Sequence, residues 1–238
     1  MKIKFVKSVS VALCAVFMLT SCESLSNMAK GGMIGAAGGA AGGAAIGALV
    51  GKLTGGKTGV SAAIGAGIGT AVGTTAGLLI GKKMDKAAAA AAQVENATVE
   101  TITDANNLTA VKVTFDSGIM FDTNKYSLKS NAKANLKEFA KVLKEFNDAD
   151  VAIYGHTDST GSDAINDPLS VNRATAVAEY LLSMGVAEGQ LKSVEGKGSK
   201  EPVADNSTAA GRAENRRVEI YLYASEAMIE AANEGALE

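Results

Sequence analysis

The stretch Val151-Ala152-Ile153-Tyr154-Gly155-His156-Thr157-Asp158-Ser159-Thr160-Gly161 decides how the rest of this chain is arranged. Four apolar and aromatic residues make a short buried strand, and a glycine-bounded polar loop ends it. The next periodic segment predicts a helix over 171–184 with Ala174, Val177 and Leu181 turned inward. On the other side, Leu128, Ala132, Leu136, Phe139, Leu143 and Phe146 also recur at helical spacing. The same helix carries Lys129, Lys133, Lys137 and Lys141 along another face, which reads as solvated. Two β-branched runs, 98–103 and 108–115, flank Asp104-Ala105-Asn106-Asn107 and predict a hairpin. Strands over 191–195 and 218–223 complete the set, and 225–238 reads as an amphipathic or frayed tail. A hairpin followed by alternating helices and strands predicts an α/β (α+β) sandwich, a mixed sheet with helices on one face.

Four motifs carry a family resemblance. Phe121-Asp122-Thr123-Asn124 precedes the first of these helices, and Gly155 to Gly161 ends the middle strand. Leu169-Ser170-Val171-Asn172-Arg173-Ala174 opens the second helix, and Gly211-Arg212-Ala213-Glu214-Asn215-Arg216-Arg217-Val218-Glu219-Ile220 enters the last strand. In this order and spacing, over residues 108–224, they resemble the OmpA-like peptidoglycan-binding domain. That resemblance implies a non-covalent ligand: the diamino acid of the peptidoglycan stem peptide, usually meso-diaminopimelate. Its free end is a zwitterion, so an acid and a base must be held close together.

The resemblance places ammonium binding on Asp158 and carboxylate binding on Arg173. Arginine suits that task because its planar fork meets a carboxylate bidentately. A lysine-type stem lacks the second carboxylate and would leave Arg173 unpaired. Ser170 is a plausible N-cap, which puts Arg173 in the first helical turn, where backbone N–H groups would also favour a carboxylate. Thr157, Asn166, Asn124 and Arg216 are expected as supporting contacts. The competing expectation is an internal salt bridge between Asp158 and Arg173.

Catalysis is not expected. His156 with Asp158 and Ser159 invites a hydrolytic triad, but strand alternation would turn Ser159 away from the other two. The one histidine and the position of both cysteines, Cys14 and Cys22, near the start argue against a transition-metal site. No cofactor is implied. The formal net charge is -2, which gives no general attraction to nucleic acid.

The first residues read as an address. A basic start with Lys2, Lys4 and Lys7 precedes an apolar run, the pattern of a secretory signal. It ends Leu19-Thr20-Ser21-Cys22, which resembles the lipobox of bacterial lipoproteins, with lipidation on Cys22. Glu23 after it, not Asp, favours the outer membrane in that resemblance. A four-residue glycine ladder follows, Gly31, Gly35, Gly39, Gly43, Gly47 and Gly51, resuming at Gly65, Gly69, Gly73, Gly77 and Gly81. One glycine per four residues keeps a single small-residue face on a helix, the face along which helices approach in lipid. Each run approaches the roughly 20 residues that cross a bilayer core. This resembles a glycine-zipper hairpin that associates with the membrane and could assemble with copies of itself. A flexible Gly/Ala spacer is the bland alternative. Gly51-Lys52-Leu53-Thr54-Gly55-Gly56-Lys57-Thr58 satisfies the P-loop pattern but lacks the preceding strand that would make it bind phosphate.

The expected organisation is a signal peptide over 1–21 and a lipidated tether over 22–30. A membrane-associated hairpin over 31–83 and an Ala-rich linker over 84–97 follow. The wall-binding domain takes 98–225, and 226–238 is a tail. The expected partners are the peptidoglycan stem peptide and the outer membrane, with homo-oligomerisation through the ladder as the alternative role.

Overall fold

The computed structural model describes residues 72–237. The signal peptide, Cys22, the P-loop pattern and the ladder up to Gly69 lie outside the described residues.

Five strands form one sheet in the order β1-β2-β5-β3-β4: β1 Ala97–Thr103, β2 Thr109–Asp116, β3 Ala149–Gly155, β4 Leu191–Gly196 and β5 Arg217–Ala224. The pair β3 and β4 is parallel and the other neighbours are antiparallel. Parallel neighbours need a crossover, which α4 (Asp163–Ser183) supplies. The helices α1 (Thr74–Ala91), α3 (Ser130–Glu145) and α4 cover one face. Short helices α2 (Ser117–Met120) and α5 (Ala209–Asn215) sit at strand ends, and α6 (Glu226–Asn233) follows β5. Val111, Val113 and Phe115 of β2 and Val218, Ile220 and Leu222 of β5 alternate onto the helical face, as a period of two requires. Phe115 meets Phe139 of α3 edge to face at 5.7 Å between ring centroids. The other face carries Tyr154, Tyr221 and Tyr223 around Ala110 and Ala152.

The domain is larger than its sequence pattern suggested. The ladder's last glycines and the expected Ala-rich linker are one helix, α1, packed on β2, β1 and α6. Its buried residues Ala76, Gly77, Ile80, Gly81, Met84, Ala87 and Ala91 follow helical spacing, with lysines 82, 83 and 86 outside that stripe. Gly77 and Gly81 are buried along with that stripe. Among the described residues no helix is long and apolar enough to cross a membrane. Lys83 pairs with Asp148 at 2.7 Å, fastening α1 to the turn before β3. The expected tail is also core: Met228, Ile229 and Ala232 of α6 are buried, Ser225 caps the helix, and Asn233 Oδ1 accepts from Gly73 N at 3.1 Å. The packed unit therefore takes in α1 and α6 in addition to the strands and helices between 98 and 225.

At the β1–β2 turn, Asp104 Oδ1 accepts from the N–H groups of Asn106 and Leu108, each at 2.8 Å. Its Oδ2 is buried without a partner, and burial outweighs those bonds and pushes the carboxyl up to about 7. An unfolded Asp titrates near ~3.9, so the unfolded state sheds its proton first as pH rises. Stability from this group therefore falls with pH between the unfolded value and about 7, and is level above that.

Two outcomes follow from this architecture. Ile80→Ala should lower the unfolding free energy by about 2–5 kcal/mol in urea titration, the cost of a core cavity, where a linker residue would change nothing. Asp104→Asn keeps the Oδ1 acceptor and removes the charge, so it should raise the urea midpoint at pH 8 and leave it nearly unchanged at pH 4.

Candidate functional site

The site is built where α4 crosses the ends of β3 and β4. A methyl group at Gly155 would run into the carbonyl oxygen of Ser170, and one at Gly196 into Ser170 Oγ and the Val171 nitrogen. Only glycine lets the helix backbone come this close. Ser170 Oγ donates to Asp167 O at 2.8 Å and accepts from Gly198 N at 3.0 Å, joining the helix to the loop after β4.

Ser170 is therefore inside a helix that begins at Asp163 and runs through Pro168, and it is not an N-cap. Arg173 lies ten residues into the helix, about 15 Å along it at 1.5 Å per residue. The helix N-terminus gives no help to a ligand there. What places Arg173 is packing: it is 4% exposed, its Nε donates to Lys125 O at 3.1 Å, and its guanidinium carbon lies 5.2 Å from the Phe121 ring centroid. Both Nη groups remain without a partner among the described residues.

Asp158 belongs to the loop after β3 and does not project freely. Thr160 N donates to its Oδ1 at 2.8 Å and Arg216 Nη1 to its Oδ2 at 2.6 Å. Burial alone would raise the carboxyl; the Arg216 and Thr160 bonds prevail and hold it below the usual carboxylate range. The internal salt bridge thus exists, but Arg216 makes it, not Arg173. Burial, then the neighbouring Arg216 charge, lowers the Arg173 guanidinium, with Asp158 opposing.

The six residues expected at the site, Asp158, Arg173, Thr157, Asn166, Asn124 and Arg216, all line one cavity of about 560 Å³. Thr157 Oγ1 is buried with no hydrogen-bond partner. Asn166 Nδ2 donates to Thr160 O at 3.1 Å and Asp158 O at 3.4 Å, so this amide holds the loop in shape. Asn124 takes a left-handed φ of 56° at the exposed rim. Sequence reasoning missed Arg212, Lys129 and Phe121, which line the same cavity. Arg212 stood in the motif before the last strand, yet no periodicity showed where it would point; the turn at Asn206 and Ser207 anchors it through their carbonyls at 2.9 and 3.0 Å. Arg173, Arg212, Arg216 and Lys129 against Asp122 and Asp158 leave the cavity cationic in a chain of formal net charge -2. Such a wall favours a ligand that brings more than one carboxylate.

His156 takes no part in the cavity. The strand ends at Gly155, so alternation stops there and His156 and Asp158 part company. His156 is fully buried with Nε2 at 3.4 Å from Glu219 Oε2. Glu219 also accepts from Arg217 Nε at 2.7 Å and Tyr221 OH at 2.6 Å. Burial opposes ionisation of Glu219, but His156 and Arg217 overcome it and hold the carboxyl far below its ordinary range. Burial pushes His156 down, which keeps it neutral. This cluster braces β5 and β3 behind the site.

Arg216→Ala should raise the titration midpoint of the Asp158 carboxyl, followed by carbon NMR of the side chain; an unchanged midpoint would show that the ion pair does not govern it.

Known proteins resemble this chain over two segments. Residues 120–216 match the OmpA family and residues 1–85 the YMGG-like Gly-zipper. The chain is 53% identical over 85 residues to the Peptidoglycan-binding protein ArfA of Mycobacterium tuberculosis, covering 36% of this chain and 26% of that one. It is 42% identical over 106 residues to the Probable lipoprotein YiaD of Escherichia coli, covering 44% of this chain and 48% of that one. The structure of the cell wall anchor of the T6SS from Pseudomonas aeruginosa superposes with a TM-score of 0.50 at 28% identity, covering 60% of this chain and 97% of that chain. The chain spans less than two thirds of the length of the curated relatives it matches.

Proposed function

We propose, starting from an OmpA-family domain over residues 120–216, that this chain is an outer-membrane lipoprotein that binds peptidoglycan without covalent attachment and ties the membrane to the wall. One observation carries the reading: a carboxylate, Asp158, and an arginine with both Nη groups free, Arg173, line the same cation-rich cavity. The terminal zwitterion of diaminopimelate needs this pair. Its ammonium approaches Asp158 opposite Arg216, and its carboxylate takes the fork of Arg173, whose Nε is already committed to Lys125 O. Thr157 Oγ1 supplies a waiting hydroxyl, and Arg216, with its side chain 38% exposed, can share its charge between Asp158 and a second ligand carboxylate. The chemistry is binding: no step is asked of these groups beyond charge pairing and hydrogen bonding.

Lipidation on Cys22 provides the membrane end. Confinement beside the wall raises the effective ligand concentration, so modest single-site affinity is enough. The Gly-zipper match over 1–85 supports a second role for the ladder, packing against lipid or against copies of itself, in the part that precedes α1. Deleting 31–69 separates the roles: tethering through Cys22 persists, and any ladder oligomer disappears.

The protein should co-sediment with purified sacculi whose stems carry diaminopimelate, and poorly with lysine-type sacculi. Asp158→Ala and Arg173→Ala should each remove it from the pellet; undiminished pelleting of both would overturn the assignment of this cavity.

A further inference from the structure

Asp158 and Arg216, the ion pair in the cavity wall, stand on segments 58 residues apart in sequence. One oxygen atom receives a donor from each segment. Asn206 Oδ1 accepts from Ser159 N at 3.1 Å and from Asn215 Nδ2 at 2.9 Å. Ser159 directly follows Asp158, and Asn215 directly precedes Arg216. The backbone carbonyl of Asn206 accepts in turn from Arg212 Nη1. Asn206 is thus joined to three charged residues of a cavity that it does not itself line.

The turn that carries Asn206 is seated by other groups. Asn215 is fully buried; its Oδ1 accepts from Val203 N at 2.6 Å and Ala204 N at 2.9 Å, and its Nδ2 donates to Ala204 O at 2.9 Å. Thr208 Oγ1 accepts from Gly211 N at 2.9 Å, capping α5, and donates to Asp205 O at 3.2 Å. A methyl group at Gly211 would strike that Asp205 carbonyl, so the turn lies tight against the helix. The turn therefore holds the Asn206 side chain in place, and the side chain is free to hold something else.

We infer that Asn206 is a positioning residue for wall binding, keeping Asp158 and Arg216 in a one-point contact that leaves the carboxylate open to a ligand ammonium. The inference rests on the peptidoglycan reading above and adds the residue that keeps its acid available. An arginine and a carboxylate favour a fork of two parallel N–H···O bonds. This pair makes one hydrogen bond among the described residues, Nη1 to Oδ2 at 2.6 Å. Packing does not impose that, since the Arg216 side chain is 38% exposed. The spacing of the two backbones does, and both are drawn to Asn206 Oδ1. A closed fork would engage both carboxylate oxygens, with the Thr160 N–H already on Oδ1, and would cancel the charge that an ammonium seeks.

The test measures affinity of the full-length protein in detergent for two probes, the free diaminopimelate stem peptide and the same stem with its side-chain ammonium replaced by hydrogen. The wild type should prefer the ammonium-bearing stem about tenfold, the contribution of one hydrogen bond between charged groups. Asn206→Ala should bind both probes with the affinity that the wild type shows for the second, whose carboxylate still takes the fork of Arg173. Asn206→Asp keeps an oxygen for Ser159 N and Asn215 Nδ2 and should restore the preference. A preference that survives in Asn206→Ala overturns the positioning role, and so does an equal loss of both probes, the mark of a merely damaged cavity. A wild type without preference, or a preference retained by Asp158→Ala, overturns the assignment of Asp158 to the ammonium instead, so the two failures are distinguishable.

Discussion

Everything at this site hangs on the contact between the backbone of α4 and two glycines at the strand ends. Gly155 and Gly196 leave just enough room for the Ser170 carbonyl and the Val171 nitrogen, and any side chain there would lift the helix. With the helix seated, Arg173 comes to rest against Phe121 and Lys125 O, and Ser170 Oγ holds the Gly198 N–H. The loop bearing Asp158 is fixed from the same direction, since Thr157 N donates to Gly198 O at 2.9 Å and Asn166 of α4 holds the Thr160 carbonyl. One close approach thus sets both charged groups relative to each other. A close-packed interior transmits such placement without needing a direct bond between them.

The strand pattern was legible because half-buried strands write a period of two, as along Thr109–Asp116, and the helix at 130–145 because its apolar stripe is strong. What misled was physics that sequence leaves degenerate. A row of Gly and Ala marks a face that lets another backbone come close, but not whether lipid-bound helices or a protein sheet lie on the other side. Gly77 and Gly81 are buried on the same helix as the core residues Ile80 and Met84. The start of α4 was hidden because 163–169 includes Pro168, leaves Ile165 exposed and buries only the polar Asn166, so an apolar stripe becomes visible only after Ser170. At the site, the family resemblance named six residues that the fold brings into one cavity. It could not tell which arginine would claim Asp158, since Arg216 and Arg173 are both reachable and the choice depends on where Phe121 and Lys125 hold the second.

The charge distribution shows a division of labour. An acidic chain concentrates arginines at one end of its sheet and balances only some of them internally. The buried Arg217–Glu219 pair, closed by Tyr221 and flanked by neutral His156, is satisfied within the protein. The adjacent Arg216 and Arg173 keep capacity to spare. Two consecutive arginines, 216 and 217, therefore serve opposite faces of β5's entrance, one turned inward for structure and one outward for recognition.

The placement of α1 also has a mechanical meaning. The start of α1 is tied to α6 by the Gly73–Asn233 bond, whereas the cavity sits where β2 and β3 end and β5 begins. In the proposed tether, pull from the lipidated end reaches the domain through α1, which packs on β1, β2 and α6. Behind α1, the seven paired residues that join β1 to β2 share that load with the helix interface. The Gly73–Asn233 bond and the Lys83–Asp148 pair fasten α1 at its start and midway along its length. A flexible linker in place of α1 would deliver the same force to the edge strand alone.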